Sequence, residues 1–322
     1  MELYPLKLSY IAKERIWGGE RLKTEYGKQS DTDRLGETWE LSVRPGETCR
    51  VENGPLSGMP LDAAILSMGL ASVCPTYDGG HFPLLIKLID AADRLSVQVH
   101  PGDAYAAHVE HDMGKTEMWY VLSAEEGASL VYGMEAGRDR EDLARAVREG
   151  RTEEVLWHRP VHAGDILFIP AGLVHAIGAG ITVAEIQENS DLTYRLYDYD
   201  RRDADGKPRA LHITRALDVL RPYTEEEIQA VRYEAADRRE KGDASCLAHC
   251  RHFRVYLRTL EGEAAGTCGA ESFRSLLCLD GKGSIMYNNV TYSVKKGDSW
   301  FLPAGMGAYR LAGQMRLLET TL

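Results

Sequence analysis

One nonapeptide occurs twice in this chain: Gly164-Asp165-Ile166-Leu167-Phe168-Ile169-Pro170-Ala171-Gly172 returns as Gly297-Asp298-Ser299-Trp300-Phe301-Leu302-Pro303-Ala304-Gly305, with six of nine positions identical. Each copy reads as a glycine turn, a short buried strand and a second turn. A unit of this kind cannot bury its apolar residues alone, so a duplicated copy predicts two related β-structures packed in one chain. Three residues after the last glycine the copies diverge, to His175 in the first and Ala308 in the second. The chain is therefore expected to hold one chemically equipped half and one structural half.

Short strand-like runs broken by Gly, Pro and Asn fill much of the chain, and two of them carry the argument. Leu84-Leu85-Ile86-Lys87-Leu88-Ile89 has the composition of a buried strand. In Leu95-Ser96-Val97-Gln98-Val99-His100, alternation puts Ser96, Gln98 and His100 on one face. Helices are predicted over Leu61 to Leu70, Arg140 to Glu149 and from Thr152, and a hairpin tip over Tyr287 to Val290. The charged stretch after Tyr223 reads as a linker, dividing the chain into residues 1–222, a connection over 223–243, and residues 244–322.

A chain of 322 residues can bury a large core without cross-links, and its six cysteines form no CxxC pair. Reduced thiols and a cytoplasmic location are expected. No signal-peptide run or membrane-length apolar stretch is seen, and a net charge of −11 argues against a nucleic-acid surface. The expected partner is a small molecule, with no nucleic acid and no membrane, and the oligomeric state is left open.

Gln98 and His100 share a strand face, Glu117 opens the run Glu117 to Leu122, and His175 follows the Pro-Ala-Gly turn. The spacing Gly-x5-Pro-x-Gly-x2-His from Gly164 to His175 resembles the second half-motif of cupin barrels, and Gln98-x-His100 with Glu117 resembles the first. The fold expected is mainly β, a double cupin of jelly-roll barrels with short helical inserts and a degenerate second barrel. Two imidazoles, a carboxylate and an amide oxygen form a mixed N/O set suited to Zn2+, with other divalent metals tolerable. Because Ala308 replaces the histidine, one ion per chain is expected.

Several blocks resemble the type I phosphomannose isomerase family in its short bacterial form: Trp17-Gly18-Gly19, Gly36 to Ser42, Phe82 to Lys87, Leu95 to Pro101, Gly114 to Trp119, Pro170 to Ala176 and Asn189 to Arg195. The resemblance implies a metal-dependent isomerase that interconverts mannose 6-phosphate and fructose 6-phosphate through a cis-enediol. It implies Gln98, His100, Glu117 and His175 as metal ligands, with Lys115, Glu185 and Arg195 as catalytic candidates. Lys87, Ser96 and Arg195 are the candidates for holding the substrate. No Walker or Rossmann glycine loop is present, so side chains must hold the phosphate.

Plainer readings stand beside these. Apart from the resemblance Lys87 reads more readily as a snorkelling side chain; Glu185, a base if partial burial raises its pKa toward neutrality, reads equally as half of a structural ion pair, Arg195 as a partner of Asp191, Asp198 or Asp200, and Ser96 as a small barrel-lining residue. Trp17, Trp39 and Trp119 are taken as core. His108 with His111, and Cys246 with His249, Cys250 and His252, are the remaining ligand-like groups. A sugar-phosphate sensor and an oxygen-dependent cupin oxidase are the rival functions.

Overall fold

The computed structural model describes residues 2–202, 206–234 and 244–322. Three large sheets organise them. A six-stranded sheet runs in the order Ile166–Ile169, Glu117–Ala124, Ile181–Glu188, Leu84–Ala91, Ile11–Gly19, Leu35–Leu41. Facing it is a five-stranded sheet in the order Leu156–Pro160, Ser129–Met134, His175–Ala176, Val97–Val99, Tyr194–Tyr197. The Tyr132 hydroxyl of one donates to the Phe168 carbonyl of the other at 2.7 Å. The two layers make the mainly β, jelly-roll type of body expected of a cupin.

Alternation along Ser96 to His100 now has a physical meaning on both faces. Val97 and Val99 pack outward with Leu143, Leu196 and Ala216, beneath the helices Arg140–Arg148 and Ile213–Val219. The polar residues between them point inward, so the strand is covered on both sides. The helix Arg140–Arg148 starts with a capping box made by Asp139 and Asp142, which satisfies its first free N–H groups.

The third sheet holds seven strands, most of them from the C-terminal part of the chain: Ala244–His249, Arg254–Cys268, Arg274–Tyr287, Val290–Lys295, Ser299–Leu302 and Gly307–Thr321. Its remaining strand is Leu6–Leu8, paired antiparallel with Ser299–Leu302. The chain thus begins in the sheet where it ends. Phe82, Phe273 and Phe301 pack together between the sheets, the last two stacked at 4.9 Å. One apolar cluster continues from Leu6 through Leu84 and Phe168 to Leu318.

The repeated nonapeptides adopt the same local structure. Gly164 and Gly297 have φ of 95° and 86°, and Gly172 and Gly305 have 95° and 79°, a region that a side chain resists. Asp165 accepts the His162 N–H at 2.8 Å, and Asp298 accepts the Lys295 N–H at 3.0 Å. These turn requirements explain why Gly, Asp and Pro survive in both copies. His175 is fully buried and Ala308 is exposed.

The hairpin tip is a two-residue turn with Asn288 and Asn289 both at positive φ. The expected helix from Leu61 ends at Met68, because Gly69 leaves the helical region at φ 94°. Thr152–Val155 is a single 3-10 turn. Within the expected linker, Glu225–Arg232 is helical, and its remainder over 235–243 lies outside the described residues. Among the described residues no helix is long and apolar enough to cross a membrane.

Candidate metal centre

The inner faces of the two facing sheets meet at His100, Glu117 and His175. In the five-stranded sheet His175 lies directly opposite Gln98, and Gln98 lies opposite Arg195 on its other side. Glu117 enters from the six-stranded sheet, whose strand Glu117–Ala124 is paired on both edges. His100 Nε2 and His175 Nε2 are 3.1 Å apart. Glu117 places Oε1 3.3 Å from His175 Nε2 and Oε2 3.7 Å from His100 Nε2.

Those spacings suit a shared cation. Two ligands at zinc bonding distance of about 2.0–2.1 Å and tetrahedral angle stand about 3.3–3.4 Å apart. His100 Nδ1 lies 2.8 Å from the Leu192 carbonyl and His175 Nδ1 2.9 Å from that of Leu173. A carbonyl only accepts, so Nδ1 carries the proton of each ring and both Nε2 atoms present lone pairs. Neither oxygen of Glu117 has a hydrogen-bond partner, although the side chain is fully buried. A buried carboxylate without a hydrogen bond, with Lys115 Nζ 3.5 Å from Oε2 and two ring lone pairs facing it, makes a candidate cation site.

Electrostatics agree. Burial, Lys115 and the neighbouring ring hold His100 well below the usual histidine range, and burial lowers His175 to about 4, so both rings are neutral at physiological pH. Burial, with the Glu185 carboxylate close by, pushes Glu117 up. A cation would reverse that penalty. Gln98 lines the adjoining cleft from its place beside His175.

The cleft has a volume of about 380 Å³ and is walled by Lys87, Ser96, Gln98, Lys115, Glu185 and Arg195 among others. Every candidate singled out in the sequence for substrate or catalysis therefore lies at one place. Lys115 Nζ is 3.5 Å from Glu117 Oε2. Lys87 and Glu185 are register partners on adjacent strands and form a buried ion pair at 2.9 Å. Trp119 donates its indole N–H to Glu185 at 2.9 Å and sets its ring edge-on to His175.

Two expectations change. Burial was expected to raise Glu185, and it does act in that direction, but Lys87 and Lys115 outweigh it and hold the group below the ordinary glutamate value. Arg195 donates to Ser96 Oγ at 3.2 Å and to the Ala210 carbonyl at 2.8 Å, not to Asp191, Asp198 or Asp200. Asp198 is taken by Arg201 and Arg209. Burial and the neighbouring Arg209 lower the pKa of the Arg195 guanidinium, with Asp198 acting in the opposite sense.

Arg15 and Glu37 were not anticipated from the sequence. Arg15 Nε meets Glu37 Oε1 at 2.7 Å, and Glu37 also accepts the Trp39 indole N–H at 2.8 Å. Glu37 and Trp39 stand two apart in one strand, and Arg15 reaches Glu37 from the neighbouring strand. Trp17, Trp39 and Trp119 are all buried, as expected of core residues. His108 lies in the last turn of the helix Asp103–Val109, while His111 stands outside it at φ 56°. Cys246 and His249 lie in a strand, and His252 turns instead to Glu188. All six cysteines are free thiols.

Fold and site together define a cupin with a buried cluster of two histidines and a glutamate that could hold a metal ion, beside a cleft lined by Lys87, Lys115 and Arg195 among others. Residues 5–127 match the catalytic domain of phosphomannose isomerase type I, and residues 245–322 match the cupin domain of mannose-6-phosphate isomerase. The mannose-6-phosphate isomerase of Streptococcus mutans is 37% identical over 98% of both chains, and the mannose-6-phosphate isomerase ManA of Bacillus subtilis is 37% identical over 100% of both. The crystal structure of mannose 6-phosphate isomerase from Bacillus subtilis superposes with a TM-score of 0.88 at 32% identity, covering 99% of each chain. A putative mannosephosphate isomerase from Archaeoglobus fulgidus shares the fold, with a TM-score of 0.77 at 21% identity over 99% of this chain and 98% of its own. The chain belongs to the type I phosphomannose isomerase family.

Proposed function

We propose that this protein is a metal-dependent aldose–ketose isomerase that interconverts mannose 6-phosphate and fructose 6-phosphate through a cis-enediol. The observation that carries the reading is the junction of the buried, converging His100–Glu117–His175 set with a cleft lined by Lys87, Lys115 and Arg195. His100, Glu117, His175 and the amide oxygen of Gln98 are the proposed ligands, and Zn2+ the proposed ion. Bound there, it would supply Lewis-acid stabilisation of negative charge developing on the sugar oxygens.

The remaining roles belong to side chains of the cleft. Glu185, kept ionised by Lys87 and Lys115, is the proposed acceptor of the proton that moves between C1 and C2. Lys115 is the proposed donor toward the oxygen that gains charge. Arg195, oriented by Ser96, is proposed to bind the phosphate or the enediolate, with Lys87 in support. Residues 1–222 are proposed as the catalytic unit and 244–322 as a companion without a metal, in a protein of the reducing cytoplasm, to which the free thiols conform.

A coupled assay tests this directly. Metal-loaded protein should convert mannose 6-phosphate to fructose 6-phosphate. Absence of turnover with any hexose 6-phosphate would remove the reading.

A further inference from the structure

Two carboxylates outside the metal centre grip the backbone that carries Lys115 and Glu117. Glu188 Oε2 accepts the Thr116 N–H at 2.7 Å, and the Glu188 N–H donates back to the Thr116 carbonyl at 3.1 Å. Asp103 Oδ1 accepts the Gly114 N–H at 3.2 Å. The fit is close enough that a Cβ on Gly114 would stand 2.5 Å from the Asp103 nitrogen. Lys115 therefore sits between two anchored residues, and Glu117 follows directly.

Both carboxylates are in turn met by the turn joining Ala244–His249 to Arg254–Cys268 in the seven-stranded sheet. Arg251 pairs with Asp103 Oδ2 at 3.0 Å, and His252 Nδ1 lies 3.0 Å from Glu188 Oε1. Arg251 Nε–H donates to His252 Nε2 at 2.8 Å, so that nitrogen is the acceptor and the ring proton sits on Nδ1, directed at Glu188. Asp103–Arg251 is exposed and contributes little. His252 and Glu188 are largely buried and carry the contact.

Asp103, Glu188 and His252 also come close enough together to resemble a second cation site. Their ligand atoms, however, already engage protein donors: Thr116, Gly114, Arg251 and the His252 ring itself. Glu117 has none. The same geometry that marks the first cluster as a metal centre marks this one as a strut.

We propose that His252 is a positioning residue for the metal centre: through Glu188 it fixes Thr116, and with it the flanking Lys115 and Glu117. The sheet whose repeat lacks the histidine would thus serve the chemistry of the other from outside. Hydrogen-bonding partners behind metal ligands are typically worth ten- to a hundredfold in affinity or activity. The kinetic arm of the test rests on the isomerase reading; the spectroscopic arm does not.

The test compares His252→Ala with His252→Asn, whose amide can replace the Nδ1–H donor, in the full-length protein. In the metal-loaded enzyme, His252→Ala should lower kcat for mannose 6-phosphate by about tenfold or more, with KM within about twofold and His252→Asn near wild type. With Co2+ as the probe ion, the visible d–d bands should change in His252→Ala and be preserved in His252→Asn. Wild-type kcat and bands in His252→Ala would overturn the proposal. So would an asparagine variant as impaired as the alanine, or a second bound Co2+ lost with His252, which would indicate a cation site. If wild-type protein turned over no sugar phosphate, the isomerase reading would fail and the Co2+ spectra alone would decide the strut.

Discussion

His100 and His175 present their Nε2 atoms to each other at 3.1 Å, each ring pinned from behind by a backbone carbonyl. Neither nitrogen has a proton to offer, so the contact is a meeting of two lone pairs. The Glu117 oxygens, which accept no hydrogen bond, close the third side. A cation turns all three contacts from unfavourable to favourable.

Removing one ring should therefore remove the ion. His175→Ala is expected to purify with less than a tenth of the wild-type metal content under the same dialysis, and to lose at least a hundredfold in kcat. Elemental analysis and the isomerase assay check the two together. Full metal occupancy in the variant would take His175 out of the ligand set.

The duplicated half should not be convertible by a single change. Ala308 is exposed at the position matching the buried His175. Ala308→His is expected to leave metal stoichiometry at one per chain, measured by elemental analysis. A second equivalent would mean that the degenerate half retains a latent site.

Lys87 balances Glu185 in a buried setting, with Glu37 close enough to add its charge. Lys87→Met should destabilise the fold by about 3–5 kcal/mol in chemical denaturation, since it strands a buried carboxylate. Adding Glu185→Gln should recover most of the stability and none of the activity. Recovery of turnover in the double variant would remove Glu185 as the proton acceptor.

Glu37 gives a pH signature. Burial would raise its pKa, but Lys87 and Arg15 together bring it from 4.5 to about 2. Because the folded value is depressed, its stabilisation is complete above pH 4.5 and fades as pH falls toward 2. The stability of wild type relative to Glu37→Gln in urea should fall as pH is lowered across that window, while the variant lacks this dependence. A difference independent of pH would contradict the assignment.

Arg195→Ala should raise KM for the sugar phosphate by about tenfold or more, and Arg195→Lys should not restore it, because a point charge does not reproduce the planar fork. Unchanged KM in both variants would place the phosphate elsewhere in the cleft.

Much of this site could be read from the sequence because local rules govern it. Period-two alternation brings Gln98 and His100 to one face, and a glycine-bounded turn delivers His175 at a fixed offset. The Lys87–Glu185 pair and the Arg15–Glu37 pair depend on which strands become neighbours and in what register, which no local pattern encodes. His252 was legible only as one of a group of potential ligands. Its contact with Glu188 requires two distant sheets to pack, and so does the return of Leu6–Leu8 to the last sheet.

The most direct test of the central claim is isomerase activity measured after chelator treatment and again after stoichiometric Zn2+ is restored, with His175→Ala in parallel. The expected result is loss of conversion of mannose 6-phosphate on chelation, recovery with one equivalent of Zn2+ per wild-type chain, and no recovery in the variant. Full activity in protein shown to be metal-free would contradict the account.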